Sequence, residues 1–457
     1  MHIFLKLPKD ILSSIFSHIN DESILESLKF IPGLQYIYLE QKYSKYELNS
    51  FHKSIKKLLL LFKVFEFIPS IIVGDVEEIN QVLDEPAFKL AKYEVKILSN
   101  TKFSDFVSIS NKVYVIGIHL NSFITESKNN EVKSFSNYIE NNSLQSLTVF
   151  YLNKFKVQLP TSLKKLTLNQ RQNLELNLSD LQNLESLECY KLYDMGSLED
   201  LQLSTSIKEL ELYFCDFKSL GNLIKYDKLK LLRIACCSEI QDLFDTEFPS
   251  SLKILKIENN FQFEDLWIYK NCFPPQLENF MIYNNNMQTF KIGDVEIAKS
   301  LNFLVLVGIE EIDLNRVLVN LPRKMAEIVF EDCRLVSSTS HVSFPESKLI
   351  EIFYSKICFD GFKTNLNELK LLKDLCLIDN IFLDIDDSEW PIDPLMIVTR
   401  METSHLDKVY FNPPQLQSLI LTSKWPPDDI DREYPFEVLF NCKNLTEINM
   451  KNLNISF

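Results

Sequence analysis

The side chains that could do covalent or metal chemistry in this chain of 457 residues are few and badly spaced for it. The six histidines (His2, His18, His52, His119, His341 and His405) show no metal-ligand spacing. Only eight glycines occur, none in a phosphate-cradling loop. Asp384, Asp386, Asp387 and Glu389 could hold a hard cation. No glycine turn or spaced ligand set accompanies them, so a solvated loop is the expectation. Nine cysteines at no framework spacing read as reduced thiols. The adjacent Cys236 and Cys237 admit a redox reading, but strand alternation would point them to different sides, which favours a structural one. A net charge of −15 offers no basic footprint for phosphates and disfavours nucleic acid. The expectation is a protein that is not an enzyme and holds no cofactor or metal.

The elements that must position any binding residues come from a recurring phrase: an aliphatic residue, two others, an aliphatic, one other, an aliphatic. It reads LKKLTL from Leu163, LESLEC from Leu184, IKELEL from Ile207, LKLLRI from Leu229 and LKILKI from Leu252. It continues as LENFMI from Leu277, LNFLVL from Leu301, MAEIVF from Met325, LIEIFY from Leu349 and LKDLCL from Leu372. Weaker copies precede it, and LQSLIL from Leu416 and LTEINM from Leu445 follow it. Pattern and period resemble the leucine-rich repeat, in which each copy is one short strand plus a return segment. That resemblance implies an α/β leucine-rich-repeat solenoid with a curved parallel sheet, a surface for holding another molecule.

Two further regularities fix the frame. Proline lies three residues before the first aliphatic position at Pro160, Pro249, Pro274, Pro322 and Pro413, where a residue without an N–H can end a return segment. The ninth position is Cys or Asn at Cys215, Cys237, Asn260, Asn285, Cys333 and Asn380. In the resembling family that side chain caps backbone groups in the turn after the strand.

Alternation points the first, fourth and sixth residues of a phrase into the core and the third, fifth and seventh onto the sheet's open face. The candidate substrate-binding residues on that concave face are Tyr190, Glu211, Tyr213, Arg233, Lys256, Tyr283, Phe303 and Phe353. Around Met281, Phe303, Val305, Val307 and Val329 the face turns apolar. That stretch reads either as an exposed interaction patch or as a surface covered by other parts of the chain.

The opening LPKDILSSIFSHINDESILESL resembles an F-box, the helical motif of substrate receptors in cullin-RING ubiquitin ligases. The resemblance implies linker binding through Leu7, Pro8, Ile11, Leu12, Ile15 and Phe16. Its implied partners are a Skp-type linker subunit, through it a cullin, and a protein substrate held by the repeats. The family's Val-Cys-x-x-Trp element is replaced here by IPGLQYIYLEQKY, with a third helix expected from Leu34 to Glu47. The alternative is a helical cap on a scaffold with no ubiquitin role.

The expected organisation is an F-box-like domain over residues 1–48, a helical transition over 49–90, and a solenoid over 91–457 with an acidic insertion near 379–405. HLDKVYF could be a degenerate repeat inside the gap between Leu372 and Leu416. Charges within Ile55 to Val73 argue against a membrane span, and no signal peptide is visible, so a cytoplasmic or nuclear protein is expected. The low Gly and high Asn, Lys, Ile and Phe usage suggests a fungal source.

Overall fold

The computed structural model describes residues 11–12, 31, 33–49, 53–98, 100–120, 129–150, 158–169, 178–193, 195–237, 239–240, 243, 246–258, 265–268, 273–292, 298–337, 342–353, 356–358, 369–378, 381–382, 408–411, 417–422, 437–440 and 447–451. It divides into two units, residues 1–171 with 180–187, and residues 172–179 with 188–457.

In the first unit helices alternate with strands. Their order is α1 (Gln35–Tyr43), β1 (Lys45–Glu47), α2 (Lys53–Phe65), β2 (Ile71–Asp75), α3 (Val76–Val82), β3 (Lys92–Ile97), α4 (Phe103–Ser110), β4 (Tyr114–Leu120), α5 (Asn129–Asn141), β5 (Ser146–Phe150) and β6 (Lys165–Asn169). Each strand pairs in parallel with the next, from β1 to β6. Parallel neighbours need a crossover, and helices supply it for each step from β1 to β5. The β2–α3 joint shows how the sequence enforces this. The Asp75 carboxylate accepts from the Glu78 N–H at 2.8 Å while Glu78 accepts from the Asp75 N–H at 3.0 Å, a capping box that starts α3 at the strand's end.

The ladder therefore begins earlier than the repeats suggest. Residues expected to finish a helix at Glu47 instead form β1, and the expected helical transition contains β2. Tyr46 is buried between exposed Lys45 and Glu47, a three-residue alternation too short to stand out beside a helical run. The β-branched Ile71-Ile72-Val73 carries the strand propensity of β2. No helix among the described residues is long and apolar enough to cross a membrane.

β7 (Ser186–Tyr190) spans the division between the units. The second unit's main ladder contains β8 (Glu209–Tyr213), β9 (Leu231–Ala235), β10 (Ile254–Glu258), β11 (Asn279–Ile292), β12 (Phe303–Asp313), β13 (Lys324–Glu331), β14 (Glu346–Phe353), β15 (Asp374–Ile378), β16 (Ser418–Thr422) and β17 (Glu447–Lys451). All pair in parallel, in order. Here several described return segments carry a second ladder, and the helices described beside it are short, Leu198–Leu201 and Leu314–Leu318. It joins Asp265–Ile268, the far halves of β11 and β12, Arg334–Val336, Lys356–Cys358 and Ile381–Phe382.

The phrase explains the geometry. First, fourth and sixth positions such as Ile207, Leu210 and Leu212 are fully buried, and so are Leu229, Leu232 and Ile234. Each such side chain contributes about 1.5–3 kcal/mol of burial. Pro249 and Pro274 accept through their carbonyls from the N–H of Leu252 and Leu277, both at 3.1 Å, a tight turn that leads into the next strand. The eighth position is left-handed in five repeats, at Lys191, Phe214, Cys236, Gly308 and Asp332, and the chain turns off the sheet there. The ninth-position thiols then close the turn. Cys215 donates to the carbonyls of Cys189 and Tyr213, Cys237 to those of Leu212 and Ala235, and Cys333 to those of Leu306 and Glu331. In every case one acceptor belongs to the preceding repeat. Burial pushes the Cys333 thiol up to about 12 and raises Cys236 as well, where Cys237 and Glu258 add to the effect. The Cys237 thiol is lowered instead, first by a hydrogen bond with Cys215, but it is fully buried and bonded to two carbonyls, which fits the structural reading of the pair.

Two register expectations change. Ile328 pairs with Ile350 and Phe330 with Ile352, so the phrase expected from Leu349 starts two residues earlier, at Ser347. Ser347 is fully buried at the first position, its hydroxyl donating to the Pro345 carbonyl at 3.0 Å. A serine there hides the phrase from an aliphatic pattern. Second, β15 pairs directly with β16, while Lys408–Phe411, within HLDKVYF, pairs with Glu437–Phe440. HLDKVYF is therefore not a rung of the main ladder. The fold is a leucine-rich-repeat α/β solenoid.

Candidate functional site

The strands β7 to β11 place large polar side chains side by side on the open face. The ring of Tyr190 stacks on that of Tyr213, with centroids 4.6 Å apart and planes 9° from parallel. The Tyr190 hydroxyl donates to Glu188 at 2.6 Å, and the Tyr213 hydroxyl donates to Glu211. Burial and these carboxylates raise both phenols well above their ordinary range. Arg233 is the hub. Its guanidinium donates to the Tyr213 hydroxyl at 2.6 Å, lies 4.9 Å from that ring's centroid, and reaches Glu258 at 2.6 and 3.0 Å. A longer contact of 3.4 Å joins it to Glu211. Lys256 pairs with Glu258 at 2.6 Å and sits 5.1 Å from the Tyr283 ring centroid. Burial alone would raise the Glu258 carboxyl, but hydrogen bonds from Lys256 and Arg233 outweigh it and hold the group below its usual value.

Six of the eight expected substrate-binding residues (Tyr190, Glu211, Tyr213, Arg233, Lys256 and Tyr283) thus belong to one connected group. Phe303 stands farther along the same face, half-buried, its backbone in register with Asn279 and Glu327. The Phe353 backbone pairs with Glu331, and its side chain lies outside the described residues. The apolar stretch is not an exposed patch. Val305 and Val329 are buried, and Met281, Phe303 and Val307 are half-buried. Among the expected linker-binding residues, Leu7, Pro8, Ile15 and Phe16 lie outside the described residues. Ile11 and Leu12 are helical, Ile11 exposed and Leu12 buried.

Two side-chain groups escaped the sequence reading. In the first unit, Glu94 on β3 is almost fully buried and accepts from Lys45 at 2.8 and 2.9 Å. Its Oε2 lies 2.9 Å from His119 Nε2, while His119 Nδ1 lies 2.8 Å from the Thr148 hydroxyl. Burial would raise the Glu94 carboxyl, yet the His119 and Lys45 hydrogen bonds prevail and hold it down at about 2. Gly117 makes room for it, because a Cβ there would stand 2.8 Å from Glu94 Cγ and 3.0 Å from Ser146 Cβ. Sequence separations of 49, 25 and 29 residues link these partners, so no local motif could reveal them. In the second unit, Glu327, Glu331, Glu351 and Asp374 share the open face of β13 to β15. Alternation alone could have found this second group.

No protein-family model matches the chain, and no curated protein matches its sequence. Among solved structures, the crystal structure of CroV588, described as a novel circular LRR protein, is 13% identical with a TM-score of 0.31. The match covers 84% of this chain and 59% of that one, so the chain spans about three fifths of that protein.

Proposed function

We propose that this protein is a recognition adaptor whose open ladder face binds another protein and whose N-terminal segment binds a Skp-type linker of a cullin-RING ubiquitin ligase. The observation that supports recognition is the Tyr190–Tyr213–Arg233 group. Tyr and Arg are the side chains that dominate binding energy at interfaces, and the network holds them in fixed positions. The linker role rests on the likeness of LPKDILSSIF to the F-box. In this reading the adaptor does no covalent chemistry. It holds a substrate's lysines near ubiquitin activated elsewhere in the ligase.

A linker pull-down tests the reading. The full chain captures a Skp-type linker, and a folded Leu7→Ala/Pro8→Ala variant does not. Failure of well-folded wild-type protein to capture it removes the ligase role. A scaffold without ubiquitin chemistry is the second reading, and one observation favours it. The helix α1 runs straight into the ladder strand β1, as the helical cap of a solenoid would.

A further inference from the structure

Resting on the reading that this face holds a protein, we propose that the β12–β15 stretch recognises a partner segment in which lysine or arginine alternates with aliphatic side chains. Strand register lays the face out as a checkerboard. Glu351 stands between Val329 and Cys376 in one cross-strand row. Phe303, Glu327, Leu349 and Asp374 form the row on one side of it, and Val307 and Glu331 lie in the row on the other. Strands about 4.8 Å apart with about 3.3 Å rise per residue put Glu351 roughly 8 Å from each of its diagonal carboxylates. That spacing suits cationic heads set over the carboxylates while aliphatic stems lie on the half-buried Phe303, Val307 and Leu349.

Charge complementarity selects the occupant. Farther up the same face Arg233 and Lys256 neutralise Glu211 and Glu258 from within the fold. Among the described residues no lysine or arginine pairs with Glu327, Glu331 or Glu351. The Glu351 carboxyl is raised, first by burial and then by Glu327, with Asp374 and Glu331 adding to it and a Cys376 hydrogen bond opposing it. Glu327, Glu331 and Glu351, half-buried on this face, attract a cation more strongly than exposed carboxylates do. The half-buried Phe303 and Val307 supply the apolar contact that separates such a partner from a purely cationic polymer.

The test uses the full chain and a fluorescein-labelled nonapeptide alternating lysine with valine, followed by anisotropy at physiological salt. The expected result is saturable binding that Glu327→Gln/Glu351→Gln weakens by about tenfold, the size of one lost charge pair. Asp227→Asn/Glu239→Gln makes the same change in net charge at exposed positions and leaves binding unaltered. A lysine–serine peptide binds less well, and a glutamate–valine peptide does not bind. Matching melting temperatures separate lost binding from lost fold. Absence of binding, equal binding by the two double variants, or equal binding of the lysine–serine peptide overturns the proposal. The linker pull-down on the same preparations tests the ligase role separately: linker captured with no peptide bound overturns this inference and leaves the ligase role standing.

Discussion

Glu94 and Glu351 occupy similar places, each on the open face of a parallel ladder, and their surroundings are opposite. Glu94 lies beside Lys45 and His119, over a glycine that makes room for it, and its carboxyl is held at about 2. Glu351 lies among Glu327, Glu331 and Asp374, and its carboxyl is raised. The repeat dictates which side of the sheet a residue faces, and its lateral neighbours decide whether a charge there strengthens the fold or strains it. The first arrangement suits stability. The second suits a surface completed by a partner.

The comparison breaks most readily at Glu94. Glu94→Ala removes charge-assisted bonds from a buried site and should lower unfolding free energy by about 3 kcal/mol in a urea titration. Because the folded-state carboxyl lies below its ordinary value, its stabilisation is full above the unfolded range near 4.5 and fades as pH falls toward about 2. The gap between wild type and Glu94→Gln should therefore be constant from pH 7 to about 5.5 and shrink below it. A gap that widens on acidification would contradict the Lys45–Glu94–His119 account.

Gly117→Ala attacks the same site by volume. The added methyl meets Glu94 and Ser146 at or inside van der Waals contact, so a loss of about 2 kcal/mol is expected, with the Glu94 carboxyl titrating at a higher pH in NMR. In the second unit, Arg233→Ala leaves Glu258 to Lys256 alone and removes the guanidinium from the Tyr213 ring and hydroxyl, while the stack on Tyr190 and the bond to Glu211 remain. The half-exposed hub makes the loss smaller, about 1 kcal/mol by thermal or urea unfolding. A protein partner bound through this face should lose more affinity than the protein loses stability.

These effects also mark what could be read from sequence. The core positions were legible because Leu210, Leu212, Leu232 and Ile234 keep the aliphatic phrase. Cys215, Cys237 and Cys333 were legible because they keep its ninth position. The frame slipped by two residues where Ser347 replaces the first aliphatic, and the early strands β1 and β2 were missed because their phrases are short or lie beside helices. On the open face, alternation correctly placed Tyr190, Tyr213 and Arg233, but it carries no information about partners. The Glu94 group is assembled across β1, β3, β4 and β5, and only the register brings Lys45, His119 and Thr148 together. Alternation also left the apolar stretch open between an exposed patch and a covered surface, and it could not decide between them. Val305 and Val329 are neighbours on adjacent strands, a small pair flanked by longer side chains, and burial follows from that lateral packing.

The smallest effect discriminates most. Glu351→Gln removes the central carboxylate of the acidic group and should raise stability at neutral pH by about 0.5 kcal/mol, the size of a relieved like-charge contact. The sign follows from linkage. A carboxyl raised on folding imposes no penalty below the ordinary carboxylate range, accumulates one as pH climbs through its folded value, and bears it in full at neutral pH. The variant's advantage should therefore vanish near pH 3 and persist at pH 7, the reverse of the Glu94 profile in sign, and it develops above the ordinary carboxylate value whereas the Glu94 effect is lost below it. If the same substitution also weakens binding of the lysine–valine peptide, the strain at Glu351 is retained for what it attracts, a trade of stability for recognition. A variant that is more stable and binds equally well would leave the acidic group with no such role.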